Sequence, residues 1–377
     1  LFVGVILPLI TMVLQSLTVS SRNAAANINE MYDVDLKKGD FTFLQWPALM
    51  FDKITKGYSA KAFWNPLWHS MVMALIACAG AVIGGGIFAF LITRTNMPCK
   101  KFISTVFIFP YIMPSWSIAM FWENFFKNSG CAASPGVGML QSITASMGFN
   151  HGVGLCVPEG VIYGMIPSAM VLGIHYAPFA YILIGGILRN MDANLEEAAT
   201  ILKASKFKIL RRITLPIVAP AMISTILLVF SSSLSTFTVP DKLKFTAISI
   251  SLRSFLSTVG FHGFGYVIAV VLMIFSILIL TLNNWMTKSR RNFTTVSGKS
   301  GQITKTNLGK IGKWVIAAVA CVFVTFFAIV PLISFILESL EETSGMLDTI
   351  TGKYWFSKEQ FDTFIASKNI SYNHAYD

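Results

Sequence analysis

Long apolar runs alternate along the chain with short polar connections. Runs of spanning length occupy 69–93, 102–122, 161–188, 215–234, 263–287 and 314–337, and a seventh covers 1–17. Each is close to the ~20 residues an α-helix needs to cross the hydrocarbon core of a bilayer. The short alternating segments of a transmembrane barrel are missing, so the pattern predicts an all-α polytopic membrane protein. The run at 1–17 has neither a basic leading region nor a small-residue cleavage site. It is read as a transmembrane helix whose beginning is missing.

Composition agrees. The 377 residues are 54% hydrophobic and 12% charged, with a mean hydropathy of +0.64; a soluble domain carries about twice that charged fraction. The net charge of +11 matters through its location. The connection 94–101 holds Arg94, Lys100 and Lys101 without an acid, and 288–313 holds seven basic residues without one. The connection 189–212 has six basic residues against three acids, while 18–68 and 123–160 are roughly neutral. Basic connections retained on alternate sides place 94–101, 189–212 and 288–313 in the cytoplasm. Orientation in the lipid bilayer therefore explains the charge, and nucleic acid does not.

The five cysteines add little. Cys78 and Cys321 fall inside apolar runs. Cys131 and Cys156 share one outer loop, where a disulfide between them and two free thiols are both open alternatives. No Cys or His spacing suits a metal.

The stretch VILPLITMVLQSL (5–17) repeats as AIVPLISFILESL (328–340), with seven of thirteen positions identical, including Pro8/Pro331 and Ser16/Ser339. A duplicated transporter half is a common membrane architecture. The expected organisation is a first half of six helices over 1–287, a cytoplasmic linker over 288–313, and the first helix and outer loop of a truncated second half over 314–377.

Between the fourth and fifth runs lies NLEEAATILKASKFKILRRITLPIVAPA, residues 194–221. Asn194 is placed to cap a helix that starts at Leu195, with Glu197 completing a capping box. Glu196 and Glu197 suit the positive start of that helix. Leu195, Ala198, Ala199 and Leu202 recur with helical spacing and form one small apolar face. Lys206, Lys208, Arg211 and Arg212 follow, and Pro216 and Pro220 open the next span. A short cytoplasmic helix results. On periodicity alone it suits a headgroup-bound interfacial helix as well as one that docks in a groove.

The spacing decides between them. The stretch resembles the EAA loop of binding-protein-dependent ABC importer permeases: Glu197-Ala198-Ala199, then at the family's intervals Lys203 in place of a glycine, Ile213, Leu215 and Pro216. The resemblance extends over most of the chain. TVSGK in the linker, FTVPDKL after the fifth run and YAPFAYILI in the fourth are similar to the fused two-half iron(III)-type permeases. It implies the transmembrane domain of a type I ABC importer in a bacterial inner membrane. Glu196, Glu197, Ala198, Ala199, Leu202, Lys203, Ile213, Leu215 and Pro216 would then form a coupling loop. It also implies two cassette ATPase subunits that bind ATP and Mg, and an extracellular or periplasmic substrate-binding protein. The solute would be iron(III) or a related metal or anion; thiamine, phosphonate and polyamine permeases are similar. The glycine permits a sharp bend that Lys203 makes harder.

No catalytic constellation competes. SGKS (297–300) lacks the glycine of a phosphate loop, that position being Phe293. This chain is therefore expected to carry no cofactor and to hydrolyse nothing. Ser232, Ser235 and Thr236, with His175 and Tyr176, are candidates for a translocation path. Membrane hydroxyls equally bond their own backbone, and His175 is equally suited to hydrogen-bonded packing. Pro178, Pro110 and Pro114 predict kinks, and the triple glycine 84–86 predicts close helix packing. An ion-driven transporter would want acids inside its spans, which are missing; a membrane scaffold would leave the EAA spacing and the duplication unexplained.

Overall fold

The computed structural model describes residues 4, 6–51, 59–127, 138–141, 157–191, 193–259, 261–288 and 306–338. Its longer helices are α1 (Leu7–Ser16), α2 (Arg22–Tyr32), α3 (Asn65–Arg94), α4 (Lys100–Val106), α5 (Ser115–Phe126) and α6 (Met165–Asn190). They continue as α7 (Ala193–Ile201), α8 (Leu215–Ser235), α9 (Ile248–Ser257), α10 (His262–Lys288), α11 (Gly312–Val324) and α12 (Val330–Glu338). Among the described residues no strand forms beyond two isolated bridges, Thr18 with Phe41 and Thr95 with Thr306. Five continuous apolar segments are long enough to span a bilayer: Ala60–Arg94, Glu159–Asn190, Phe207–Ser235, His262–Met286 and Gly312–Leu337. They coincide with five of the expected runs.

The run at 102–122 does not form one straight span. Its two pieces, Lys100–Ile112 and Ser115–Phe126, meet at 99°. The cause is local: Met113 precedes a proline and takes an extended ψ of 144°, as the clash with a following pyrrolidine ring requires. The run at 1–17 contributes the ten residues of α1, which lies along α10.

The bundle is organised inside out relative to a soluble protein. On α3 the alanines 74, 77, 81 and 89 are fully buried, while Trp68, Leu75, Ile83 and Ile87 are exposed. Small residues face the neighbouring helix and large ones face outward, as packing in lipid favours. α6 is the chief partner of α3. At their crossing a Cβ on Gly85 would lie 2.5 Å from Ala180 Cβ, 2.7 Å from Tyr181 N and closer still to Ala177 O. The glycine cluster is thus a site of backbone contact, as its sequence suggested. Phe88, Phe107, Tyr181, Ile184 and Val324 extend this core toward α11.

Three spans contain a wide turn of π geometry: Ala60–Trp64 at the start of one, Leu210–Thr214 just inside another, and Thr325–Ile329 in the middle of the third. In each, the next residue donates its N–H five positions back: Asn65 to Ala60, Leu215 to Leu210, Val330 to Thr325. Each donor is followed by a proline, Pro66, Pro216 or Pro331. Proline has no N–H and its ring crowds the carbonyl four residues earlier, so the turn before it opens from four to five residues. Gly4 and Ile6, ahead of Pro8, take the same conformation. The two prolines aligned by the internal repeat therefore share one local device.

The basic connections meet at one end of the bundle, where Arg94 pairs with Glu196 and Asn96 with Asn307. At the other end Gln45 bonds the Thr18 carbonyl, Tyr163 donates to Glu123, and the Lys244 ammonium sits 3.9 Å from the Tyr163 ring centroid. This grouping agrees with the alternate sides read from charge.

Candidate functional site: the loop between α6 and α8

α6 ends at Asn190, Met191 is extended, and α7 begins at Ala193. Asn194 therefore lies within the first turn and is not the N-cap expected from the sequence. The side chains of Leu195 and Glu197 are outside the described structure. Glu196 points into the bundle. Its Oε2 accepts from Arg94 Nη1 at 3.2 Å and its Oε1 accepts from Thr214 Oγ1 at 3.2 Å.

The end of α7 answers the question raised by Lys203. The Ala204 N–H donates to the Ala199 carbonyl at 3.0 Å and the Lys203 N–H to that of Thr200 at 2.9 Å. This pair of bonds is a Schellman motif, which needs a left-handed residue at its centre. Lys203 supplies it, with φ +55°. The elbow that a glycine would give freely is thus kept by a lysine at a local cost of about 1 kcal/mol. Lys203→Gly is expected to leave thermal stability in detergent unchanged or slightly raised. Lys203→Val puts a β-branched side chain at positive φ and is expected to lose about 1–2 kcal/mol. Equal melting temperatures for the two variants would contradict this account.

The elbow turns apolar side chains outward. Ile201 is 81% and Leu202 82% exposed, Phe207 is exposed beyond the bend, and Lys208, Arg211 and Arg212, which follow in the chain, are exposed as well. Ala198 is exposed and Ala199 half-buried; Ile213 is half-buried, while Leu215 and Pro216 at the head of α8 are exposed. Two adjacent large apolar residues are thus left uncovered at this helix end. Ile201 and Phe207 were not singled out from the sequence, because neither falls on the stripe of Leu195, Ala198, Ala199 and Leu202.

The candidate path residues lie on α6 and α8. His175 is buried, and its Nδ1 is 2.7 Å from the Pro110 carbonyl. In an unbroken helix that carbonyl would accept from residue 114, which is proline. His175 therefore donates to a group that the 99° bend leaves orphaned. Its neighbour Tyr176 is half-buried and lies close to Ser232. Ser235 bonds the Ser231 carbonyl of its own helix at 3.0 Å, and the Thr236 carbonyl accepts from Ser249 at 2.7 Å. The structure brings Tyr176 and Ser232 together and directs His175 to the bend. Cys131 and Cys156 lie outside the described residues.

Residues 81–292, more than half the chain, match the family model described as "Binding-protein-dependent transport system inner membrane component". The ferric transport system permease protein of Actinobacillus pleuropneumoniae is 24% identical over 249 residues, 65% of this chain and 33% of that protein. The galactooligosaccharides transport system permease protein of Bacillus subtilis is 26% identical over 202 residues, 51% of this chain and 46% of that one. The chain thus spans less than half the length of either relative. A bacterial ABC transporter importing the acidic polysaccharide alginate has a chain that aligns with a TM-score of 0.51 at 12% identity, covering 77% of this chain and 91% of that one.

Proposed function

Because the chain belongs to the family of binding-protein-dependent transport system inner membrane components, we propose that it is the membrane-spanning subunit of an ATP-driven importer, and that α7 is its joint with the motor. The observation that carries the proposal is the α7 elbow. Ile201 and Leu202 stand in solvent at the end where the basic connections gather. A cassette ATPase supplies the groove that covers them. The cationic rim of Lys208, Arg211 and Arg212 orients the approach.

The mechanism follows from differential binding. ATP and Mg are held by two cassette subunits, one at this loop and one at the equivalent loop of a second half. Closure of the cassettes on ATP moves the docked helices. Spans attached to those helices rearrange between states open to opposite sides, which is alternating access. This chain contributes no hydrolytic group; its residues receive force and hold the path. A substrate-binding protein delivers the solute at the outer end, where the ordered segment 18–51 and the Tyr163–Lys244 cluster lie.

Iron(III) is the proposed solute. The ferric permease among the relatives supports it, as does the repeat of 5–17 at 328–340 with its shared proline turn. The relatives also include a sugar permease, so the solute is tested separately, by uptake of radiolabelled ferric citrate into proteoliposomes carrying the assembled transporter.

The proposal itself is tested by affinity purification of the full-length protein from detergent, beside Glu197→Arg. Wild type is expected to retain a cassette ATPase, found by mass spectrometry and by MgATP hydrolysis. Glu197→Arg is expected to purify as stable protein and to lose it, because it reverses charge on the docking helix. Stable wild-type protein with no ATPase would overturn the assignment.

A further inference from the structure

We propose that the buried Arg94–Glu196–Thr214 triad is the joint through which α7 moves the bundle, and that it drives the span Gly312–Leu337 as well as α3. The inference rests on α7 being the docking helix. It adds which residues carry the load inward, and where the load goes.

Arg94 is the last residue of α3, and it is 2% exposed. Among the described residues Arg94–Glu196 is the only ion pair. Arg94 Nε and Nη2 are buried and have no described partner, so the Glu196 carboxylate is the one anion described as compensating this guanidinium. A buried charge that loses its partner is strongly penalised. α7 therefore cannot withdraw from α3 without stranding Arg94. The second carboxylate oxygen is bonded by Thr214, in the wide turn that leads into α8. One side chain of the docking helix thus holds the ends of two spans.

The connection continues past Arg94. The Arg94 carbonyl accepts from Thr306 N at 2.7 Å, and the Thr306 carbonyl accepts from Asn96 N at 3.3 Å. Asn96 Nδ2 donates to Asn307 Oδ1 at 2.9 Å and Asn96 Oδ1 accepts from Leu308 N at 3.0 Å. These four bonds fasten 306–308 to the residues that follow α3, four residues ahead of α11. The result is an unbroken series of polar contacts from Glu196 to Leu308, from which four residues of chain lead into the next span. A hydrophobic contact could slide; a buried charge and paired backbone groups hold position.

Spatial continuity alone does not establish coupling, so the test measures it at a distance. Hydrogen–deuterium exchange is followed by mass spectrometry on the full chain in lipid nanodiscs, for wild type, Arg94→Gln, Glu196→Gln, the double variant, Arg94→Lys and the exchange Arg94→Glu/Glu196→Arg. Either glutamine variant is expected to raise exchange about tenfold or more in both 193–201 and 306–311. The double variant is expected to be no worse than either single one. Arg94→Lys and the charge exchange are expected to recover most of the protection. Peptides across the α3–α6 crossing, 74–85, are the internal reference and should not change. A rise confined to 193–201 would overturn the inference, as would equal behaviour of Arg94→Lys and Arg94→Gln. These readouts need no ATPase, so failure of the docking assignment in the purification experiment is seen separately. Where a cassette subunit is retained, MgATP should alter exchange at 306–311 in wild type and not in Arg94→Gln.

Discussion

Gly85→Ala is expected to be among the most damaging single-methyl additions in the chain, while Gly86→Ala, one residue along, is tolerated. At Gly85 the new Cβ meets the backbone of α6 on two atoms, Ala177 O and Tyr181 N, and the Cβ of Ala180. None of these can step aside by a rotamer change. The two helices must separate, and Gly80, which faces Gly173 across the same crossing, loses its contact with them. Overpacking in a dense interior costs about 1–3 kcal/mol, and contact with unyielding backbone puts Gly85→Ala at or beyond the upper end. At Gly86 the added atom reaches only Ile184 Cδ1, at an ordinary 3.8 Å, so the change there should stay within about 0.5 kcal/mol. Unfolding in a titration of denaturing detergent, with chromatographic dispersity beside it, distinguishes the two. Similar midpoints would mean that the crossing is looser than the structure shows.

The second large effect concerns docking. Ile201→Asp/Leu202→Asp is expected to lower affinity for the cassette ATPase at least about a hundredfold without disturbing the fold. Both side chains are more than four-fifths exposed, so the free protein loses nothing by their removal. Burying each against a partner is worth about 1.5–3 kcal/mol. Part of that is offset by the cost of association, and roughly 3 kcal/mol in total still exceeds two factors of ten. The control is Phe43→Asp, also at an exposed apolar residue but in the outer segment. Its affinity should match wild type. Titration calorimetry between purified subunits reads all three, and unchanged affinity in the double variant would move the contact away from the elbow.

How far the sequence led depends on the range of the interactions involved. The spans were legible because hydropathy is a local property: three of the runs stand in the structure within two residues of their expected ends, and two others begin eight or nine residues earlier, at Phe207 and Ala60, where a polar lead-in continues the helix. The close packing at 84–86 was legible for the same reason, although only Gly85 of the three meets neighbouring backbone. The helix α7 was legible as a motif and as a short helical segment. Its inward face was not. Arg94 entered the charge count as one more cytoplasmic cation, yet it is buried against a carboxylate 102 residues away. No periodicity reports a pairing of that separation. The same holds for His175, whose partner Pro110 lies 65 residues back. The break at Met113–Pro114 was signalled by its proline, although a proline alone does not distinguish a slight kink from a bend of 99°. Lys203 shows the reverse case: glycine's absence raised a doubt about the elbow, and the lysine adopts the left-handed geometry all the same.

The wide turns before Pro66, Pro216 and Pro331 have a consequence for chain length. A π turn is an α-helix with one residue too many, accommodated locally so that the faces before and after it keep their directions. Removing one residue from Leu210–Thr214 converts the wide turn to an ordinary one, leaves Pro216 at the head of α8, and does not rotate the helix below it. Elsewhere in a span a one-residue deletion turns every later side chain by about 100°. These three turns are therefore places in the bundle where the gain or loss of a single residue can be absorbed without changing the faces that the spans present to one another.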